Sequence, residues 1–417
     1  MGRWIFLNTT CADFTNGADE WDRRTSALSE LSPATFEQRI QPPSPTSCLG
    51  HPLAAYSEVE SYLLEYFIHG IGPNCSLSPI NNPYITLITP LSFCHTTLRN
   101  ALLAVASNQF SLLGDTRFVK ETLVYKDRAL KGLQQAICTG EIDDGVIATV
   151  LMLCFHDISD DCDPSWVTHL HGGLDLLYRV PSNKSGSCSL RRFFEMYFVA
   201  HEIMSRTAFQ TIKRDGITHS WSDSDDLDEI DTVMGCSRRL MSLIDDVSDL
   251  PQPGKLKVSL LGTPSYLKIA SSISTLSQTL PRYSEDRADL AQIAEAKRLA
   301  ALLYLSGRRS PRNDAEVKLP DRLDKRHLTS AIINIISVLP DRATLLWPLY
   351  ILGHVGLDTE DHRRFVLERL ETMQRARNLG SVRRALMAVK RAFQVVDMKH
   401  SAGHSWGDSG FGLISLA

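Results

Sequence analysis

Residues 146–155, VIATVLMLCF, are apolar at every position except Thr149, and residues 166–178, WVTHLHGGLDLLY, follow with apolar side chains at helical spacing. These two stretches constrain the fold most. An element that is apolar all round must be covered on all sides by other elements. Trp166, Leu170, Leu174, Leu177 and Tyr178 fall at i, i+4, i+8, i+11 and i+12, one continuous helix face. Asp163 suits the N-cap, and Pro164 suits the first helical position, where its missing N–H costs nothing. Gly172 and Gly173 lie within this helix, each costing about 1 kcal/mol relative to alanine. Their presence predicts that another backbone passes very close. The two stretches read as the central helix pair of an all-α domain.

The same periodicity runs through most of the chain. Ser57 caps a helix with Val59, Leu63, Phe67 and Ile71 at spacing four, closing by Gly70–Pro73. Residues 87–110 read as a helix with Leu98, Leu102, Val105 and Phe110 near one face. Residues 118–137 form an amphipathic helix with Val119, Leu123, Leu130, Leu133 and Ile137 inward, closed by Thr139–Gly140. Asp143 or Asp144 starts the buried run. Further helices are expected over 190–209, rich in Phe193, Phe194, Tyr197 and Phe198, and over 237–250 and 290–305. Residues 328–339 are β-branched enough for a strand, but their helical neighbours favour a helix. Thr359 caps a helix with Val366, Leu370 and Met373 inward, and Asn378–Leu379–Gly380 turns the chain. The last helix faces Val382, Leu386, Val389, Phe393 and Val396 inward. No hairpin, βαβ unit or fixed-period repeat is apparent. The expected fold class is all-α, a single large layered array of roughly ten to twelve helices. Residues 1–57, with prolines among Ser and Thr, read as a disordered leader. Residues 58–398 read as the folded domain and 399–417 as a flexible tail.

Chemistry is harder to find. A net charge of −4 announces no overall affinity for nucleic acid. No apolar run reaches the ~18 residues of a membrane span, and WIFL near the N-terminus is too short for a secretory signal core. These features lead to the expectation of an intracellular protein. The nine cysteines stand singly, with no C-x2-C pair, and read as reduced thiols rather than a zinc site built on cysteine pairs. There is no G-x-G-x-x-G, P-loop, G-x-S-x-G or H-E-x-x-H. The nearest metal-like constellation is His156–Asp157, Asp160, Asp161, Asp163, His169 and His171. A His–Asp dipeptide in a helical chain resembles metal-dependent phosphohydrolases of the HD type. His169 and His171, two apart on a helix, point about 200° away from each other and cannot share one ion. Asp157–Asp163 therefore reads as a polar connection between helices, and His169 as a packing histidine. The doublets Arg23–Arg24, Arg191–Arg192, Arg238–Arg239, Arg308–Arg309, Arg363–Arg364 and Arg383–Arg384 read as helix-surface charge. Residues 220–231, SWSDSDDLDEID, read as a solvated acidic loop, and the aromatic run Phe193–Phe198 as core. No catalytic, cofactor-binding or metal-ligating residue is assigned, and no cofactor is expected.

Four ordered stretches carry a resemblance: LRNALLAVASNQF (98–110), WVTHLHGGLDLL (166–177), IDTVMGCSRRLMSLI (230–244) with AEAKRLAALLYL (294–305), and LLWPLYILGHVGLDTEDHRRFVLERLETMQRARNLGSVRRAL (345–386). Together they resemble the regulatory domain of fungal-specific zinc-cluster transcription factors, of the fungal transcription factor domain 2 type. The likeness covers residues 58–397. It implies an all-α regulatory domain of a nuclear gene regulator, with protein partners of the transcription machinery or a dimer partner. The absence of catalytic motifs leads to the expectation of no enzyme, and a large helical array with Met and aromatic residues offers an apolar cavity to a small-molecule effector. The family's DNA reader holds two zinc ions on six cysteines, usually opening with C-x2-C. Here only Cys11 and Cys48 precede the regulatory region, so that cluster is absent from this sequence. The resemblance then implies contact with DNA only indirectly or through a further module. The alternative expectation is a non-DNA-binding partner of a zinc-cluster factor, and beyond it an HD-type phosphohydrolase.

Overall fold

The computed structural model describes residues 56–162, 164–179, 188–208, 221, 226–250, 264–282, 287–308, 324–355, 359–402 and 414–416. The expected leader over 1–55 and the expected N-cap Asp163 lie outside these residues. Among them stand fourteen α-helices and one two-stranded ribbon, an all-α layered array slightly richer in helices than expected.

Helix α1, Glu58–Tyr66, opens with a capping box: the Ser57 hydroxyl accepts from the Glu60 amide, and the Glu60 carboxylate accepts from the Ser57 amide. It runs on as a π-turn, Phe67–Ile71, and a 3-10 turn, Gly72–Cys75. The single helix expected over 87–110 is broken. A π-turn, Tyr84–Ile88, leads into α2, Thr89–Cys94, and His95 is extended before α3, Thr96–Leu112. The break carries the His95 ring onto Gly145, where an added Cβ would lie 2.3 Å from it. Next come α4, Val119–Thr139, closed by Gly140 at φ +73, and α5, Asp144–Asp160, capped by the Asp143 carboxylate on the Val146 amide. Helix α6, Ser165–Arg179, packs on α5, and α7, Cys188–Ala208, on α6. The α3–α5–α6–α7 stack holds the centre, with α5 buried from Gly145 through Cys154.

A short antiparallel ribbon follows, β1 (Ile230–Asp231) with β2 (Cys236–Ser237), which the sequence pattern did not announce. Its loop is held by the Asp231 carboxylate, which accepts from the Val233 and Met234 amides, and by Gly235 at φ +69. Then come α8 (Arg238–Asp249), α9 (Pro264–Thr275), α10 (Arg287–Gly307) and α11 (Lys325–Val338). The isoleucine-rich 328–339 stretch is helical, as its surroundings suggested. Helix α12 (Leu346–Val355) is buried from Leu346 through Gly353. The terminal pair is α13 (Glu360–Arg377) and α14 (Gly380–Ala402), joined through Asn378 in the left-handed region at φ 52. Helix α14 passes the boundary expected at 398, and Ile414, Ser415 and Leu416 are buried, with the Ser415 amide donating to the Cys162 sulfur at 3.4 Å.

Inward assignments on two helices need correction, as does the reading of the glycine pair. On α6, Trp166, Leu170, Leu174 and Leu177 are buried, but Tyr178 is exposed. An added Cβ on Gly173 would lie 2.3 Å from the Phe198 ring, whereas Gly172 has nothing within 4 Å. The close approach therefore exists at one glycine, against a ring of α7 rather than a backbone. On α4, Val119, Leu123, Leu130 and Ile137 are exposed, and the buried face is Thr122, Tyr125, Ala129 and Leu133.

The backbone approach that a glycine permits is at Gly380, where an added Cβ would sit 2.5 Å from the Asp160 carbonyl oxygen and 2.7 Å from the Cys162 nitrogen. Two backbones cannot yield as a side-chain tip can. Gly380→Ala is expected to cost about 1–3 kcal/mol by overpacking. Gly172→Ala, in open space, is expected to be neutral or stabilising through helix propensity. Thermal melts of the two variants check the contrast, and equal melting points would contradict it.

Candidate functional site

Helix α4 lies on α3 through Tyr125, Ala129 and Leu133. The flank beside this buried face carries Leu123, Leu130 and Ile137, seven residues apart, with Val119 one turn before Leu123. Leu123 is 67% exposed and Ile137 51%. At the N-terminal end Tyr62 of α1, itself exposed, stacks on Phe118 with ring centres 5.8 Å apart, which extends the apolar surface. An uncovered row of large apolar side chains at heptad spacing is the seam that a partner helix occupies. Periodicity had found this stripe, but it cannot tell whether the covering surface belongs to the same chain.

Beneath α4 lies a closed polar network. Asp157, buried within α5, accepts from the Lys126 ammonium of α4 at 2.6 Å and meets the His156 ring at 3.1 Å. His169 of α6 stands 3.5 Å from its other oxygen. Burial pushes the Asp157 carboxyl up, but the His156 and Lys126 hydrogen bonds and the ammonium charge outweigh it and hold the group well below the usual carboxylate range. Burial lowers the His169 pKa. The structure thus brings together three of the residues singled out for metal chemistry, His156, Asp157 and His169. It leaves His171 and Asp161 exposed, and Asp161 pairs with Arg383 and Arg384. Asp157 is not part of a helix connection as expected: α5 continues to Asp160 and buries it. Its oxygens are committed to an ammonium and two imidazoles. Among the described residues, no group of three or more His, Cys, Asp or Glu is placed to hold a metal ion. The network ties α4, α5 and α6 together.

Several arginine doublets are braces rather than surface charge. Arg238 is buried, with its guanidinium 5.8 Å from the Trp221 ring centre. Arg308 is buried against Tyr304. Arg383 and Arg384 donate to the Asp160 and Asp161 carbonyls at the C-terminal end of α5, where the helix dipole favours cations. Arg206 pairs with Asp245 and Asp249, joining α7 to α8. Arg363 pairs with Asp397 at 2.6 Å and lies over Phe393, joining α13 to α14. A planar fork can reach carbonyls and rings across a helix interface, which doublet spacing alone does not show. No helix among the described residues is long and apolar enough to cross a membrane.

A family model described as fungal specific transcription factor domain covers residues 62–406. No curated protein and no solved structure matches the chain.

Proposed function

Because the chain belongs to the fungal specific transcription factor domain family, we propose that it is the regulatory part of a nuclear transcriptional regulator that works through protein contacts and not as an enzyme. The observation that carries the reading is the family match across almost the whole described fold. The α4 outer face is the surface we assign to a helical partner of the transcription machinery. The cysteines of this sequence offer no two-zinc cluster, so contact with DNA comes through a further segment or a partner chain. That same feature favours a second reading, a co-regulator that joins a zinc-cluster factor.

Two experiments test the proposal. Deletion of the gene is expected to change a defined set of transcripts, with a fluorescent fusion in the nucleus; an unchanged transcriptome overturns the regulatory reading. Leu123→Asp with Leu130→Asp is expected to reproduce the deletion profile while lowering stability by only about 1–2 kcal/mol, the helix-propensity cost of two aspartates plus the partly buried area of Leu130. Wild-type transcripts from this double variant would remove α4 as the contact surface and leave the regulatory reading intact. The co-regulator reading requires a zinc-cluster protein bound stoichiometrically to the purified chain.

A further inference from the structure

A cavity of about 140 Å³ lies where several distant parts of the chain meet: the 73–77 turn, the C-terminal half of α5, α7, the 232–235 loop, residues 342–344 and the α13–α14 turn. Phe155, Ile158, Met234 and Leu379 supply apolar wall. Two neutral polar groups open onto the same space. Tyr84 is buried in the wall, and its hydroxyl has no hydrogen-bond partner among the described residues. Burial pushes that hydroxyl well above the usual tyrosine range, so it keeps its proton and can donate. His201 is buried in the wall with its Nδ1 2.7 Å from the Tyr197 carbonyl oxygen. Nδ1 therefore donates, and Nε2 keeps its lone pair, with no partner among the described residues. Burial lowers the His201 pKa to about 4, so the ring is neutral at ordinary pH. The Tyr197 and Thr344 hydroxyls of the same wall are enclosed, whereas the Tyr84 hydroxyl and His201 Nε2 keep surface on the cavity. Buried polar groups left without partners are rare in native proteins and call for a ligand or water.

The charged groups near the cavity already have partners. Arg342 of the wall stands 3.6 Å from the Asp289 carboxylate. Behind Met234 the buried Lys297 ammonium donates to the Met234 carbonyl at 2.5 Å. Buried Arg377, behind Cys75, donates to the Gln109 side chain at 2.7 Å. Asp231, which lies close enough to act on Tyr84, accepts the Val233 and Met234 amides. A charged ligand would find no open counter-charge, and burying an unpaired charge is costly. A neutral ligand has only one donor and one acceptor to satisfy, within an apolar wall of the kind that small-molecule sites use. An engineered cavity of about 150 Å³ accepts a benzene ring, which sets the scale of the apolar body.

We propose that this cavity binds a small neutral molecule the size of a single ring, carrying a hydroxyl or a primary carboxamide. The ligand oxygen accepts from the Tyr84 hydroxyl, its O–H or N–H donates to His201 Nε2, and its apolar body lies against Phe155 and Met234. The site stands independently of the regulatory reading above, because binding is measured on the purified chain. Where that reading holds, it supplies the effector class.

The test is calorimetric titration of the full chain with phenol beside toluene, and with benzamide beside benzoate. Each pair is alike in size; toluene lacks the polar group, and benzoate is charged. The expected result is saturable binding of phenol or benzamide, at least tenfold tighter than the other member of its pair. Tyr84→Phe removes a hydroxyl that bonds nothing among the described residues, so it is expected to melt like wild type and bind several times more weakly. His201→Phe is expected to weaken the same ligand severalfold. Ser159→Leu, at a half-buried wall position on α5, is expected to fill the space and abolish binding while the helix stays folded. No binding of phenol or benzamide at millimolar concentration means that the cavity holds only water, and overturns the proposal. Equal binding within both pairs, or unchanged binding by folded Tyr84→Phe, overturns it as well. Transcript profiles bear on the regulatory reading alone, so either can fail without the other.

Discussion

Trp347→Ala is expected to cost about 3–5 kcal/mol, the range for removing a buried large aromatic. Trp347 has no exposed surface, and its indole N–H donates to the Thr207 hydroxyl at 2.9 Å. It therefore locks α12 to the C-terminal end of α7 by packing and by one hydrogen bond. The two contributions separate experimentally. Trp347→Phe keeps most of the ring and is expected to lose roughly 1–2 kcal/mol, mainly the hydrogen bond and a small void. Val338→Ala, at a side chain 70% exposed on α11, is expected to stay within about 0.5 kcal/mol of wild type. Urea unfolding of the three variants gives the ranking. A Trp347→Ala protein as stable as Val338→Ala would mean that α7 and α12 are not joined through this residue.

The second large effect is at Asp157. Asp157→Ala leaves the Lys126 ammonium and the buried His156 ring without their shared acceptor, and is expected to cost about 3–5 kcal/mol. Asp157→Asn keeps the shape and removes the charge. Its deficit relative to wild type should depend on pH with a definite sign. The Asp157 carboxyl is held below its unfolded value, despite burial, by the hydrogen bonds of His156 and Lys126. A group depressed in this way stabilises the fold at pH above the unfolded carboxyl value of about 4. That contribution is lost as pH falls from there through the folded value. Urea midpoints at pH 7, 5, 4 and 3 should therefore show wild type and Asp157→Asn separated at pH 7 and converging in acid. A gap that is the same at pH 3 as at pH 7 would place the stabilisation in shape rather than charge.

The two stretches that looked most constraining, 146–155 and 166–178, became α5 and α6, because an all-apolar run or a single apolar stripe has few ways to be buried. Caps at Ser57, Asp143 and Thr359 were legible because they are local: a side-chain oxygen satisfies an amide two or three residues on. The hairpin at 230–237 was not, since it has only two residues per strand and no alternation to count. Helix α9 also passed unnoticed, with its apolar residues spread among serines. The candidate sites were less legible still. The α4 stripe was found and then turned the wrong way, because α3 takes the face of Tyr125, Ala129 and Leu133 instead. His201 sits in a helix that reads as plain core, and its cavity partner Tyr84 lies more than a hundred residues away.

The sequence by itself determined the helical class, the order of the main helices, most of their caps and the family resemblance, all of which depend on periodicity, short-range hydrogen bonds or ordered motifs. Only the tertiary structure decided which apolar faces meet within the chain, which arginines are braces, and which polar groups converge on Asp157 or on the cavity. Those outcomes rest on contacts between residues far apart in sequence, as Gln109 and Arg377 show, 268 positions apart and hydrogen-bonded at 2.7 Å. A linear pattern records what each residue would bury, and the folded chain supplies the surface that buries it.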